Sequence, residues 1–268
     1  MRINGVLSFG ASAVALLLGS VAVHASEGGH AAWQRSAGNE VANLPSLQRG
    51  ARNFMAYCAG CHSLQYMRYS RLATDLKIPD EQRDAYIVPP NAKFSDYIKT
   101  SMPAGDAAEW FGKAPPDLSL ITRSRGTDYV FNFLTTFYAD PASRQTGVNN
   151  LQLPGTAMPH VLASLQGVQR LKSADEKADG EVAATADHGD DPPADGGHSN
   201  SPFEPGVQGS LTPAQFDDFV RDTVNFLDYV GDPTQVERKS LGVWVVLFLL
   251  MFTGIAYLLK SEYWKDVR

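Results

Sequence analysis

Cysteine is almost missing from this 268-residue chain: only Cys58 and Cys61 occur, three positions apart. A multi-disulfide scaffold and a four-cysteine zinc site are thereby excluded. Basic charge is in short supply as well. There are 23 Lys and Arg against 29 Asp and Glu, a formal charge of −6, so no basic face is available to neutralise phosphates, and nucleic-acid binding is not expected. Internal repeats are lacking, and long apolar runs without a charge occur only twice. What remains, 44% hydrophobic and 19% charged, suits one large or two small domains with a real core and fits neither a collagen-like nor a globally disordered chain.

The first uncharged run lies at the start. Within residues 1–25 Arg2 is the only charge, Val6 to Val23 is small and apolar, and Val23-His24-Ala25 offers small residues before a cut. This reads as an export signal, with Ala, Gly and Ser where a membrane helix would carry Leu and Ile. The second run, Leu241 to Leu259, has 19 residues without a charge. At 1.5 Å per residue it spans roughly 28 Å, enough to cross a hydrocarbon core. Glu237-Arg238-Lys239 and Lys260 fence it, and Tyr257, Tyr263 and Trp264 stand where interfacial aromatics belong. The expected layout is a signal at 1–25, an exported domain at 26–240, an anchor at 241–259 and a cytoplasmic tail at 260–268. The protein would then sit in a bacterial cell (inner) membrane by a single pass, with its main domain in the periplasm.

Inside the exported part, residues 173–202 are rich in Asp, Gly, Ala and Pro and carry eight acidic residues against the single Lys177. With no aromatic and few branched residues, this stretch cannot bury enough surface to offset the cost of ordering, so it is expected to be a mobile loop. It is either a solvated spacer or a long-range attractor for a basic partner; its His188 and His198 are expected to be solvated. After it, Thr212-Pro213-Ala214-Gln215 has the form of a capping box with proline at the first helical position. Phe216, Phe219, Val220, Thr223, Phe226, Leu227 and Val230 follow at helical spacing. A short hairpin is expected before Thr212.

The chemistry is concentrated in Cys58-Ala59-Gly60-Cys61-His62, a C-x-x-C-H sequence. Two thiols one helical turn apart can add to the two vinyl groups of one haem, and the next residue can set an imidazole beneath the iron. The competing reading is a disulfide or redox dithiol, which would open a helix after a strand. Here the motif instead closes a helical pattern, with Ser46 as the expected cap and Leu47, Gly50, Phe54 and Tyr57 on one side. One pentapeptide implies one covalent haem c, with His62 as proximal ligand. The sixth ligand separates electron transfer from catalysis at an open iron. Met251 lies in the apolar run, Met55 in the same helix as Cys58, and Met67 too close to His62. Spacing leaves Met102 and Met158 open, with His160 as a third candidate.

Beyond the pentapeptide, Ala114-Pro115-Pro116-Asp117-Leu118-Ser119, Arg123-Ser124-Arg125-Gly126-Thr127-Asp128-Tyr129-Val130-Phe131, Gly155-Thr156-Ala157-Met158-Pro159 and the tail from Glu237 to Val267 resemble the cytochrome c1 family, the haem subunits of ubiquinol–cytochrome c oxidoreductase (bc1) complexes. The resemblance covers residues 40–172 and 208–268 and leaves 173–202 outside it. It implies a mostly α fold, a cytochrome c-like haem domain with irregular loops and one C-terminal transmembrane helix. It implies Met158 as distal ligand, Met102 in packing, Pro115 and Pro116 lining the haem pocket, and Arg125 paired with a haem propionate, with Arg123 as fallback. A half-buried carboxylate does need such a charged partner. Asp128 is expected to cap a helix from Tyr129, and Phe131, Phe133, Leu134 and Phe137 to be core. The extra disulfide of some bacterial members cannot form here.

The function implied is a one-electron relay in a respiratory or photosynthetic chain, from a Rieske iron–sulfur protein to a c-type cytochrome, beside cytochrome b. No catalytic residue is assigned, because the chain alone catalyses nothing. Two alternatives stand beside it: an anchored cytochrome donating directly to a terminal oxidase, and a haem catalyst or gas sensor with an open iron.

Overall fold

The computed structural model describes residues 33–143, 146–172 and 201–265. The export signal at 1–25, His188, His198 and all but the last two residues of the acidic stretch lie outside the described residues.

Helix α1, Leu44–Tyr57, starts earlier than its expected cap. Asn43 is the N-cap and its side chain accepts from the Ser46 backbone N–H, while Pro45 occupies the first turn. Ser46 is instead buried inside the helix, a correction that follows from its hydroxyl being needed elsewhere. The Ser46 Oγ donates to Asp222 Oδ1 at 2.6 Å and accepts from Asn225 Nδ2 at 2.9 Å. Leu47, Gly50, Ala51 and Phe54 form the buried face of α1, at the spacing one helix face requires.

That face packs on α8, Pro213–Gly231, the most extensive contact between helices. The expected capping box is present. Gln215 N donates to Thr212 Oγ1 at 3.3 Å and Thr212 N donates to Gln215 Oε1 at 3.0 Å, with Pro213 opening the helix. Phe54 meets Phe226 at 5.8 Å between ring centroids, and Tyr57 meets Phe219 edge-on at 5.5 Å. Burying Phe54 and Phe226 stabilises by about 2–3 kcal/mol each. The crossing also buries a charge. Asp222 accepts from Arg49 Nε at 2.5 Å and Nη2 at 2.9 Å in the bidentate form that suits a carboxylate.

Shorter elements wrap this pair. After α1 come β1, Leu64–Arg68; α2, Tyr69–Asp75; α3, Asp80–Tyr86; β2, Tyr97–Ile98; and α4, Ala104–Phe111. Next are α5, Ile121–Arg125; α6, Thr127–Thr135; β3, Phe137–Ala139; β4, Val148–Asn150; α7, Ala163–Gln166; β5, Gly167–Leu171; and β6, Phe203–Gln208. These strands form three separate antiparallel pairs, β1–β2, β3–β4 and β5–β6. The last is the expected hairpin before Thr212; it pairs Leu171 with Phe203, on either side of the acidic insertion.

Helix α6 begins at Thr127 with Gly126 as N-cap, so Asp128 is in its first turn and is not the cap. Its carboxylate accepts from Ala37 N at 2.7 Å and from Ser36 Oγ at 3.3 Å. Together with the Arg35 backbone and Asn132, this binds the segment ahead of α1 to α6. Phe131, Leu134 and Phe137 are buried and Phe133 packs against the same core, as expected.

After α8 the chain turns at Asp232 into α9, Gln235–Tyr263. This 29-residue helix has mean hydropathy 2.3 in its most apolar window and exposed apolar side chains throughout. At 1.5 Å per residue it is roughly 44 Å long, so the apolar run 241–259 is its middle and polar turns extend it at both ends.

Candidate haem site

The pentapeptide continues the last turn of α1. Cys58 N donates to Phe54 O at 2.8 Å, Cys61 N to Cys58 O at 3.0 Å and His62 N to Cys58 O at 2.8 Å. The turn therefore carries both thiols and the imidazole on one short, hydrogen-bonded piece of backbone. Both cysteines are free and half-buried. Burial, with a smaller contribution from neighbouring Cys61, pushes the Cys58 thiol up to about 12.

His62 is 9% exposed and its Nδ1–H donates to the Pro116 carbonyl at 2.7 Å. Burial lowers its pKa, partly opposed by the Pro116 hydrogen bond and the charge of Asp117. A neutral ring with Nδ1 held as donor leaves Nε2 as the lone-pair nitrogen, the tautomer that a metal-ligating histidine requires. Pro116 is thus placed against the pentapeptide by a direct bond, with Pro115 half-buried beside it.

The segment with Met158 is hung from β4. Asn150, fully buried, donates through Nδ2 to Phe133 O at 2.7 Å, and its Oδ1 accepts from Gln152 N at 2.9 Å and Leu153 N at 3.2 Å. Asn149 Oδ1 accepts from Gly155 N at 2.8 Å, where Gly155 takes φ +73°. That conformation favours glycine. Met158 is half-buried and packs on the same core as Cys58 and Ala59, and its N–H donates to Thr156 Oγ1 at 3.3 Å. His160 lies two residues on, stacked on Phe137 at 5.0 Å with an angle of 4° between the rings, and burial pushes its pKa down to about 4. Met102 is half-buried in the loop before α4.

The two candidate arginines separate cleanly. Arg123 donates to Asp232 Oδ2 at 3.1 Å, and Arg238, at the start of α9, contacts the same carboxylate. Arg125 makes no ion pair among the described residues; its guanidinium carbon lies 5.5 Å over the Tyr129 ring. Among the described residues, no hydrogen bond or ion pair links Arg125 or Met158 to the pentapeptide.

Four supporting residues were given no role from sequence: Asp117 and Ser119, named only within a motif, and Asn149 and Asn150. For Asp117 the available signal was an Asp directly after Pro116, where such side chains bond to local backbone; the strand residues Asn149 and Asn150 gave none.

Two free thiols on a turn, a neutral histidine with Nδ1 tied and Nε2 open, a thioether on the same core and a guanidinium without an ion pair make a donor set that fits haem c. With the apolar α9 trailing the domain, they define a membrane-anchored haem protein. The comparisons agree. A model of the Cytochrome C1 family matches residues 33–177 and 209–267. The chain is 44% identical to cytochrome c1 of Allochromatium vinosum, over 94% of this chain and 96% of that one. It is 36% identical to a Nitrosomonas europaea protein named ammonia monooxygenase gamma subunit, over 95% and 96%. A cytochrome c1 from Rhodospirillum rubrum matches at 28%, over 84% and 82%. The chain belongs to the cytochrome c1 family. It is a haem c-binding, membrane-anchored electron carrier of the bc1 complex.

Proposed function

We propose that one haem c is held covalently by thioether bonds to Cys58 and Cys61, with His62 as proximal and Met158 as distal ligand. Support comes chiefly from the hydrogen bond between His62 Nδ1 and Pro116 O on the C-x-x-C-H turn. When bound, the haem supplies a one-electron ferrous–ferric couple. The protein's part is positioning. His62 is fixed in orientation and tautomer by Pro116. Asn149 and Asn150 hold the segment that carries Met158, whose thioether would be the second ligand when the haem is bound. Pro115 and Pro116 shield the pocket from water, and Arg125 compensates a propionate carboxylate. With His62 held by Pro116 and the Met158 segment held by Asn149 and Asn150, these side chains would reorganise little as the charge of a bound haem changes.

On this reading the haem domain is exported and the C-terminal tail is cytoplasmic. Electrons arrive from a Rieske iron–sulfur protein and leave to a c-type cytochrome, while α9 stands beside cytochrome b in the membrane. The alternative with an open iron is disfavoured by the thioether packed on the same core as the cysteine turn.

The test is a haem-stained denaturing gel of the membrane complex together with the Met158→Leu variant. The wild type should keep its stain after denaturation, show a Met–ferric charge-transfer band and bind little carbon monoxide when reduced. Met158→Leu should keep the stain, lose the band and bind carbon monoxide readily. An unstained wild type, or an unaltered band in the variant, overturns the assignment.

A further inference from the structure

We propose that Asp117 is a positioning residue for the proximal histidine: its carboxylate holds the Pro116 carbonyl in place against His62 Nδ1 and sets a negative charge behind that hydrogen bond, lowering the reduction potential of the site. The proposal rests on the assignment of His62 as haem ligand.

Residues 116–119 run alongside 62–66 and are joined to them by four bonds. His62 Nδ1 donates to Pro116 O at 2.7 Å, Leu118 N to Ser63 O at 3.0 Å, Gln65 N to Asp117 Oδ2 at 2.9 Å and Tyr66 N to Ser119 Oγ at 3.2 Å. Asp117 Oδ1 also accepts from Ser119 N at 2.9 Å, closing the local turn. Pro115 and Pro116 have no N–H, so neither can tether itself by donating a backbone bond. The position of the Pro116 carbonyl is therefore set from its C-terminal side, and the Asp117 side chain is the adjacent tether. Both of its oxygens are taken by backbone donors, which holds the carboxylate in a defined place.

The charge has a direction of action. A negative charge on the carbonyl side of Nδ1–H strengthens that hydrogen bond and makes the imidazole a stronger electron donor, as partners behind a ligating histidine do. A more donating ligand and a nearby anion both favour the oxidised, more positive iron. Neutralising Asp117 must therefore raise the potential, whereas loosening the strand-like pairing elsewhere should not.

The experiment is a redox titration of the full-length, haem-loaded protein with parallel thermal melts, comparing wild type, Asp117→Asn, Asp117→Ser, Ser119→Ala and Asp80→Asn. Asp117→Asn keeps the shape and loses the charge. Asp117→Ser keeps a turn-forming oxygen and serves if the amide variant does not accumulate. Both should shift the midpoint upward. Ser119→Ala removes the Tyr66 tether and should lower the melting temperature with an unchanged midpoint; Asp80→Asn, on the exposed end of α3, should change neither. Haem-loaded Asp117 variants with the wild-type midpoint overturn the proposal, as does an equal shift in Ser119→Ala. A wild-type preparation without haem instead removes the ligand assignment beneath it, so the two failures are told apart.

Discussion

Gly50 of α1 lies so close to Asp222 of α8 that a methyl group built on it would fall 2.0 Å from the Asp222 carbonyl oxygen and 2.6 Å from Phe226 Cβ. Only a residue without Cβ permits this crossing, which lies about two helical turns ahead of the cysteine turn. Gly50→Ala must push the helices apart against backbone. A cost of about 3 kcal/mol is expected, which lowers the melting temperature by roughly 6–12 °C in a domain of this size. Haem content per folded protein should fall with it, read by thermal melts and haem stain.

Asp222 also anchors the crossing through its side chain, accepting from Arg49 and Ser46. Asp222→Ala leaves the Ser46 hydroxyl without its acceptor and the Arg49 guanidinium without its partner. Arg49 is half-exposed and can turn to water, so the cost should stay at about 2–3 kcal/mol. Arg49→Met, which keeps the stem of the side chain but leaves the carboxylate at 12% exposure, should also destabilise. Denaturant melts of the two variants measure both effects.

Arg125 and Arg123 should behave differently although two residues apart. Arg125→Gln removes a positive charge beside the proposed propionate. It should lower the midpoint potential by some tens of millivolts and leave the melting temperature nearly unchanged. Arg123→Gln breaks a contact to Asp232, so the midpoint should hold while the junction with α9 loosens, visible as faster proteolysis near residue 232. Equal midpoint shifts would contradict the assignment.

Asp228 supplies a pH signature. Burial raises its pKa above the usual carboxylate value, against a lowering hydrogen bond from Asn39 and lowering charges on Lys239 and Arg123. A raised carboxylate contributes stability that is full below the unfolded pKa of about 3.9 and is lost as pH rises through the folded value. Asp228→Asn keeps the acceptor for Asn39 Nδ2 and avoids the buried charge. At pH 7 it should raise the melting temperature by about 2 °C, and the gain should vanish below about pH 4.

Local chemistry explains which features were legible in the chain. The pentapeptide, the Thr212–Gln215 capping box and the apolar helix each depend on residues within a few positions of one another. Spacing alone therefore reveals them, and family motifs extended that reading to Met158 and Arg125. Helix starts were read less well. Ser46 and Asp128 are good capping residues, yet tertiary partners claim both side chains: Asp222 and Asn225 hold Ser46, and the segment ahead of α1 holds Asp128. A strong local preference was outcompeted by distant bonds.

By itself the sequence determined the cysteine turn, the anchor and the apolar faces of the two main helices, because thiol spacing, hydrophobic run length and helical periodicity are local quantities. Only the tertiary structure decided which carbonyl fixes His62, which asparagines hang the Met158 segment, and that Arg123 is spent on Asp232 while Arg125 keeps clear of any ion pair among the described residues. The His62–Pro116, Asn150–Phe133 and Arg123–Asp232 contacts join residues 17 to 109 positions apart. Their partners are chosen by how closely α1 and α8 pack and by which buried polar groups need a bond once water is gone.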